Sequence, residues 1–302
     1  MFEYILLIIG FIVLIKGADM FVESASEIAK KIKIPDIIIG MTIVAMGTSA
    51  PEFSVSLQSS IAGMSDISIA NVVGSNIFNL LVVLGVSALF SKLKITKYKD
   101  VLITLAISVL LTSFALNGYL SAIEGLILLG GFIIYIISMI KNKKETDENV
   151  ETFNKNILLT IVLGVIGLGA IVYGGNLVVD SASKIATTLG MSQNLIGLTI
   201  VAIGTSLPEL VTSVVATKKS KNDIAVGNVL GSNIFNMLLI IGASSVINPM
   251  NVSLYTFIDI IFITVTLIIF ILLTYKKQEV NKYNGLIFII IYISYIIYTI
   301  IR

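Results

Sequence analysis

Glu52 and Glu209 each fall in the middle of a long apolar stretch, and each closes a matching hexapeptide, GTSAPE at 47–52 and GTSLPE at 204–209. An ionised side chain deep in a bilayer costs about 3 kcal/mol or more, and such residues are by default functional. Each carboxylate comes with a proline, Pro51 or Pro208, so each also comes with a break in a helix. Read locally, Gly47 ends one half-helix at a residue needing positive φ. Ser49 then caps the next half-helix, Pro51 sits in its first turn, and Glu52 has capping-box spacing from Ser49. Ser206 and Glu209 repeat the pattern. A pair of helix caps is the plain alternative, but a serine alone would cap without burying a charge. A broken helix frees backbone carbonyls, here around Ala45, Met46 and Thr48. With the hydroxyls of Thr48 and Ser49 and the carboxylate of Glu52, they form an all-oxygen donor set. Hard cations such as Ca²⁺ take about six to eight oxygens of this kind. The second copy offers Ala202, Thr205, Ser206 and Glu209, and two carboxylates neutralise one divalent ion.

A second motif is also doubled, GSNIFN at 74–79 and at 231–236. Gly-Ser-Asn inside an apolar helix points to a further discontinuity or to close packing through small residues. For Gly74 and Gly231, packing is a sufficient reading. Ser75, Asn79, Ser232 and Asn236 are assigned as oxygen ligands and their supports, because amides and hydroxyls in lipid require partners. Asn71 and Asn228 belong to the same face. Asp36, Asp66, Asp100 and Asp223 fall at segment ends. Lys16, Asp19 and Glu23 lie on the first helix and Asp180 on the sixth, near an interface or vestibule. Glu124 and Asp259 have no counterpart in the other half and are kept out of the site.

These motifs must be positioned by membrane helices. The 302 residues are 56% hydrophobic and only 13% charged, with a mean hydropathy of +1.01, whereas about 25% charge is usual in soluble domains. Apolar runs predict ten transmembrane helices, near 3–29, 34–62, 66–90, 99–116, 119–140, 156–186, 192–217, 223–247, 252–275 and 283–301. Seventeen of the 20 basic residues fall in loops on one face. By the positive-inside rule that face is cytoplasmic and both termini are extracellular. The N-terminus has neither a basic leader nor a small-residue cleavage site, so it reads as a retained helix. The only long polar stretch, 141–155, reads as a cytoplasmic linker between halves 1–140 and 156–302. With no histidine and no cysteine, thiolate chemistry, disulfides and the usual general base are excluded.

Aligning Gly17 with Gly174 gives an offset of 157 that holds without gaps through Ser87 and Ser244, with a little under half the positions identical. Matches across Gly, Pro, Asn and Glu mark a duplication. Each half carries five helices, so the second enters from the opposite side. The fold class expected is an all-α integral membrane protein with a 5 + 5 inverted-topology repeat. Such repeats are typical of secondary transporters, whose site lies near the midplane.

The doubled motifs, VAMGTSAPE with NVVGSNIFN and VAIGTSLPE with NVLGSNIFN, resemble the cation/calcium exchanger superfamily, specifically prokaryotic sodium/calcium exchangers. The resemblance implies a core of helices 2, 3, 7 and 8, with helices 1 and 6 sliding across it. It implies Ca²⁺ bound by Glu52 and Glu209 with the carbonyls of Thr48 and Thr205. It also implies Na⁺ positions drawing on Ala45, Ser49, Ser75, Ala202, Ser206 and Ser232. Some archaeal and potassium-dependent members carry Asp where this chain has Asn236, so K⁺ dependence is not expected.

The function expected is therefore a plasma-membrane antiporter exchanging Na⁺ for Ca²⁺ by alternating access and extruding Ca²⁺. The alternative is H⁺/Ca²⁺ exchange on the same scaffold, with the glutamates carrying protons. A channel would need a continuous pore, and an enzyme would need a nucleophile and base. No cofactor, nucleic acid or protein partner is indicated beyond the transported ions and the bilayer.

Overall fold

The computed structural model describes residues 2–141, 156–191 and 202–302. Its helices follow the apolar runs closely, because in lipid a backbone satisfies its polar groups within the helix itself. They are α1 (Phe2–Lys31), α2 (Asp36–Thr48), α3 (Ala50–Ile61), α4 (Ser65–Phe90), α5 (Tyr98–Phe114), α6 (Ala122–Lys141), α7 (Ile157–Thr188), the short α8 (Ala202–Gly204), α9 (Leu207–Lys218), α10 (Asn222–Ile247), α11 (Leu254–Thr274) and α12 (Lys282–Ile301). Among the described residues, eight helices are long and apolar enough to cross a membrane, and α2 with α3 makes a ninth if that bent pair is one span. The first ten residues of the predicted segment 192–217, with the side chain of Ala202, lie outside the described residues, as does most of the linker 141–155.

Burial sorts the helices by their place in the bilayer. The apolar stretches of α10 and α4 are 94% and 78% buried, against 17% for α12 and 22% for α6, so α4 and α10 form the centre and α6 and α12 face lipid. Along α1, Ile5, Ile8, Ile12 and Ile15 are exposed while Gly10, Leu14, Gly17 and Phe21 are buried. An outward face of isoleucine is expected where the solvent is hydrocarbon.

The first motif does interrupt its helix, though not as the glycine suggested. α2 and α3 are bent by 50° at Ser49, whose φ and ψ are −83° and 9°. Gly47 stays helical within α2 and is not among the positive-φ glycines. The kink follows from Pro51, which has no N–H and crowds the carbonyl one turn back. The second motif leaves its helix unbroken. A π-helical turn begins at each asparagine, Asn79–Val83 in α4 and Asn236–Ile240 in α10, and a third spans Gly40–Val44 in α2. Single π turns inside α-helices accompany functional sites.

α1 and α7 run together through glycine. A β-carbon on Gly174 would lie 2.6 Å from the Leu14 nitrogen, and one on Gly17 would lie 2.8 Å from the Gly167 carbonyl. Glycine at these positions lets two backbones touch, as in other small-residue helix contacts. Gly231 does the same for α10 against α2, where its β-carbon would come within 2.5 Å of the Met41 Cα. Among the described residues four strands of two residues each lie between the helices, which an all-α reading does not include. Leu93–Lys94 pairs antiparallel with Glu279–Val280, and Tyr119–Leu120 with Met250–Asn251. Each pair forms where two loops run side by side and their unpaired backbone groups meet.

Candidate cation site

The proline kink directs the hydroxyl of Ser49 away from its own helix. It makes no cap bond and instead donates to Oε1 of Glu209 at 2.7 Å. Ser206 also caps nothing; its hydroxyl donates to Oε1 of Glu52 at 3.1 Å and lies 3.0 Å from Ser75 Oγ. The capping boxes read at 49–52 and 206–209 are therefore absent, and each serine serves the other copy's carboxylate. Ser75 and Ser232 complete the pattern, at 3.4 Å from Glu52 Oε1 and 3.5 Å from Glu209 Oε1. Ser232 Oγ also lies 3.5 Å from the carbonyl of Ala45. That carbonyl is not freed by the kink, because Ser49 N–H donates to it at 3.0 Å, and the Thr48 hydroxyl also lies 3.3 Å from it.

Both glutamates are completely buried. Among the described residues, their second oxygens, Oε2 of Glu52 and Oε2 of Glu209, have no hydrogen-bond partner, and neither does the buried hydroxyl of Thr205. Buried carboxylate oxygens without partners are costly and call for an explanation in any native fold. Thr48 is held by α10, its hydroxyl donating to Asn228 Oδ1 at 3.1 Å. Asn71 donates to the carbonyl of Glu52 at 3.2 Å and to Ser56 Oγ at 2.9 Å. Asn228 donates to the carbonyl of Glu209 at 3.4 Å and to Ser213 Oγ at 3.0 Å. These amides fix the half-helix that carries each glutamate.

Asn79 and Asn236 stand apart from the carboxylates. Both are fully buried, but neither is hydrogen-bonded to a glutamate. Asn236 donates to Asn76 Oδ1 at 3.0 Å; among the described residues its Oδ1 and both polar atoms of the Asn79 side chain are unpartnered. The sequence reading overlooked Asn76 and Asn233. Each amide donates to the other's backbone carbonyl, at 3.4 and 3.3 Å, stitching α4 to α10. Their signal was present, since both are buried asparagines of the doubled GSNIFN. The acids set aside have ordinary partners: Asp259 takes a two-pronged ion pair from Arg302 at 2.7 and 2.6 Å, and Glu124 accepts from the backbone and hydroxyl of Ser121.

Among the described residues no group of three or more acidic side chains could hold a metal. The site instead has two carboxylates ringed by hydroxyls, with amides behind them. Oxygen donors of this kind suit a hard cation and need neither thiolate nor imidazole.

Known proteins resemble this chain in sequence and fold. The putative antiporter CaxA of Alkalimonas amylolytica is 35% identical over 96% of both chains. The sodium/calcium exchanger MaX1 of Methanosarcina acetivorans is 33% identical over 98% of this chain and 97% of its own. A solved structure of the sodium-calcium exchanger NCX_Mj, soaked with zero Na⁺ and Ca²⁺, superposes with a TM-score of 0.88 at 32% identity, covering 97% of each chain. The sodium/calcium exchanger protein family matches residues 2–141 and 159–301, nearly the whole length, and the chain belongs to that family.

Proposed function

We propose that this chain is a Na⁺/Ca²⁺ antiporter that works by alternating access and extrudes Ca²⁺ from the cytoplasm. The observation that carries the reading is the crossed pair of bonds, Ser49 to Glu209 and Ser206 to Glu52, which joins both buried carboxylates into one oxygen cluster. Ca²⁺ binds between Glu52 and Glu209, its two charges balanced by theirs, with the carbonyls of Thr48 and Thr205 added. Na⁺ takes the flanking groups: Ala45, Ser49 and Ser232 beside Glu209, and Ala202, Ser206 and Ser75 beside Glu52. Asn79 and Asn236 offer their free oxygens or support the others. Because both ions need the same glutamates, one species displaces the other, and this competition couples their movements.

The scaffold of this reading has ten spans arranged as two inverted halves of five, 1–140 and 156–302, joined by the linker 141–155. It is supported by partner bonds that recur at the offset of 157, by the matching π turns, and by strand pairs that join one half to the other. α1 and α7 form a body that shifts against the core and opens the site to one face at a time. The lysine-rich face is cytoplasmic and both termini are outside.

The test loads inverted vesicles with Na⁺ and follows uptake of radioactive Ca²⁺. Uptake down the Na⁺ gradient that disappears in Glu52→Gln with Glu209→Gln is expected. Uptake that persists in that double variant overturns the site. Uptake driven by a pH jump in the absence of Na⁺ would assign the proton as the coupling ion.

A further inference from the structure

The two copies meet different surroundings on the two sides of the site. On one side Asn176, Val179 and Asp180 of α7 help line a cavity of about 140 Å³ that reaches Thr205 and both motif prolines. At the offset of 157 their counterparts on α1 are Asp19, Val22 and Glu23. There the packing is tighter: Val22 and Thr48 are fully buried, whereas Val179 and Thr205 are only half-buried. Phe21 and Leu168 close over Gly47, each 3.1 Å from where a β-carbon would be.

One residue ties this closed side together. Lys219, just past the end of α9, places Nζ 2.9 Å from Asp19 and 3.2 Å from Glu23 on α1. Partial burial works against the Lys219 ammonium, yet the two acids hold its pKa above the usual lysine value. The counterpart of Lys219 in the first half is Ala62, and the counterpart of Asp19 is Asn176. An equivalent contact therefore cannot form on the open side, and the difference between the two sides is written in the sequence.

We propose that Lys219 is a gating residue, whose ion pairs with Asp19 and Glu23 hold α1 across the entrance on the lysine-rich face so that the resting site opens to the opposite face. The proposal deepens the antiporter reading and rests on it, since a gate matters only where access alternates. α1 is tied to α7 by the glycine contacts and by Lys184 to Glu3 at 3.5 Å, so the two move as a body. Opening the lysine-rich side requires α1 to move off α9, which separates the ammonium from both carboxylates. The pairs are partly exposed, hence individually weak and readily broken. They bias the equilibrium between the two faces without locking it.

The chain has no cysteine, so single-cysteine reporters need no prior removal of native thiols. Val179→Cys and Val22→Cys are labelled with a membrane-impermeant maleimide in vesicles of either orientation. In the otherwise native chain, Val179→Cys reacts from the face opposite the lysines and Val22→Cys is protected. Adding Lys219→Met raises Val22→Cys labelling from the lysine-rich face by roughly fivefold, the shift expected from two weak pairs, and lowers that of Val179→Cys. Lys219→Arg restores the native pattern. Asp19→Asn with Glu23→Gln matches Lys219→Met, and combining all three adds nothing further; this acid variant also tests the gate if Lys219→Met fails to fold. Val22→Cys labelling that stays at the native level in the folded variants overturns the gate, as do effects that add in full. If Na⁺-driven uptake by the unaltered chain is intact, that result overturns the gate alone. Absence of uptake in the unaltered chain overturns the antiporter reading and the gate with it.

Discussion

At the scale of single residues, the spacing Ser-x-x-Glu has two different outcomes in one chain. At 121–124 it is a helix cap, with Glu124 Oε2 2.7 Å from the Ser121 nitrogen and Ser121 Oγ 3.3 Å from the Glu124 nitrogen. At 49–52 the same spacing carries a proline between the two, and the serine turns to the opposite copy's glutamate. Glu124→Ala is expected to cost about 1 kcal/mol of stability and leave Ca²⁺ uptake unchanged. Ser49→Ala removes a bond to a buried charge, worth about 1.5–3 kcal/mol. Ca²⁺ uptake at saturating gradient should then need roughly tenfold or more Ca²⁺, read from its concentration dependence.

At the scale of elements, glycine contacts decide which helices pack backbone to backbone. Gly231→Ala drives a β-carbon into the Met41 backbone at 2.5 Å, an overpacking expected to cost about 1–3 kcal/mol. Gly130, on α6, has no described atom within 4 Å of where a β-carbon would sit, so Gly130→Ala should stabilise by up to about 1 kcal/mol through helix propensity. Thermal unfolding in detergent reads both, and the two changes should differ in sign. Helix existence was legible in the apolar runs, and most ends agree within two or three residues. The π turns at Asn79 and Asn236 were not: an apolar run has the same composition whether a turn holds one extra residue or not. Gly47 misled because glycine both ends helices and lets neighbours approach, and in this fold it does the latter, against Phe21 and Leu168.

For the whole molecule, charge and duplication carry the arrangement. With the lysines inside, a protease site placed in the linker 141–155 should be cut only from the cytoplasmic face, and one appended after Arg302 only from outside. Cleavage with the opposite sidedness would invert the proposed orientation and the face to which the Lys219 gate is assigned. Asn at both 79 and 236 leaves two carboxylates for the ions, so Na⁺-driven Ca²⁺ uptake should be unchanged when K⁺ is replaced by choline. A requirement for K⁺ would mean that a third anionic group enters the site.

The sequence by itself determined a chain built for lipid, a duplication at offset 157, and two paired motifs whose glutamates are too costly to be incidental. These follow from composition and spacing, which are local and countable. Only the tertiary structure decided which oxygen each serine serves, because a hydroxyl three residues from one glutamate can equally face another 160 residues away. It also decided that Asn76 and Asn233 join the two central helices, and that Lys219 reaches Asp19 and Glu23. Contacts between distant segments depend on how helices cross, and the crossing is set by packing that no single stretch of sequence contains.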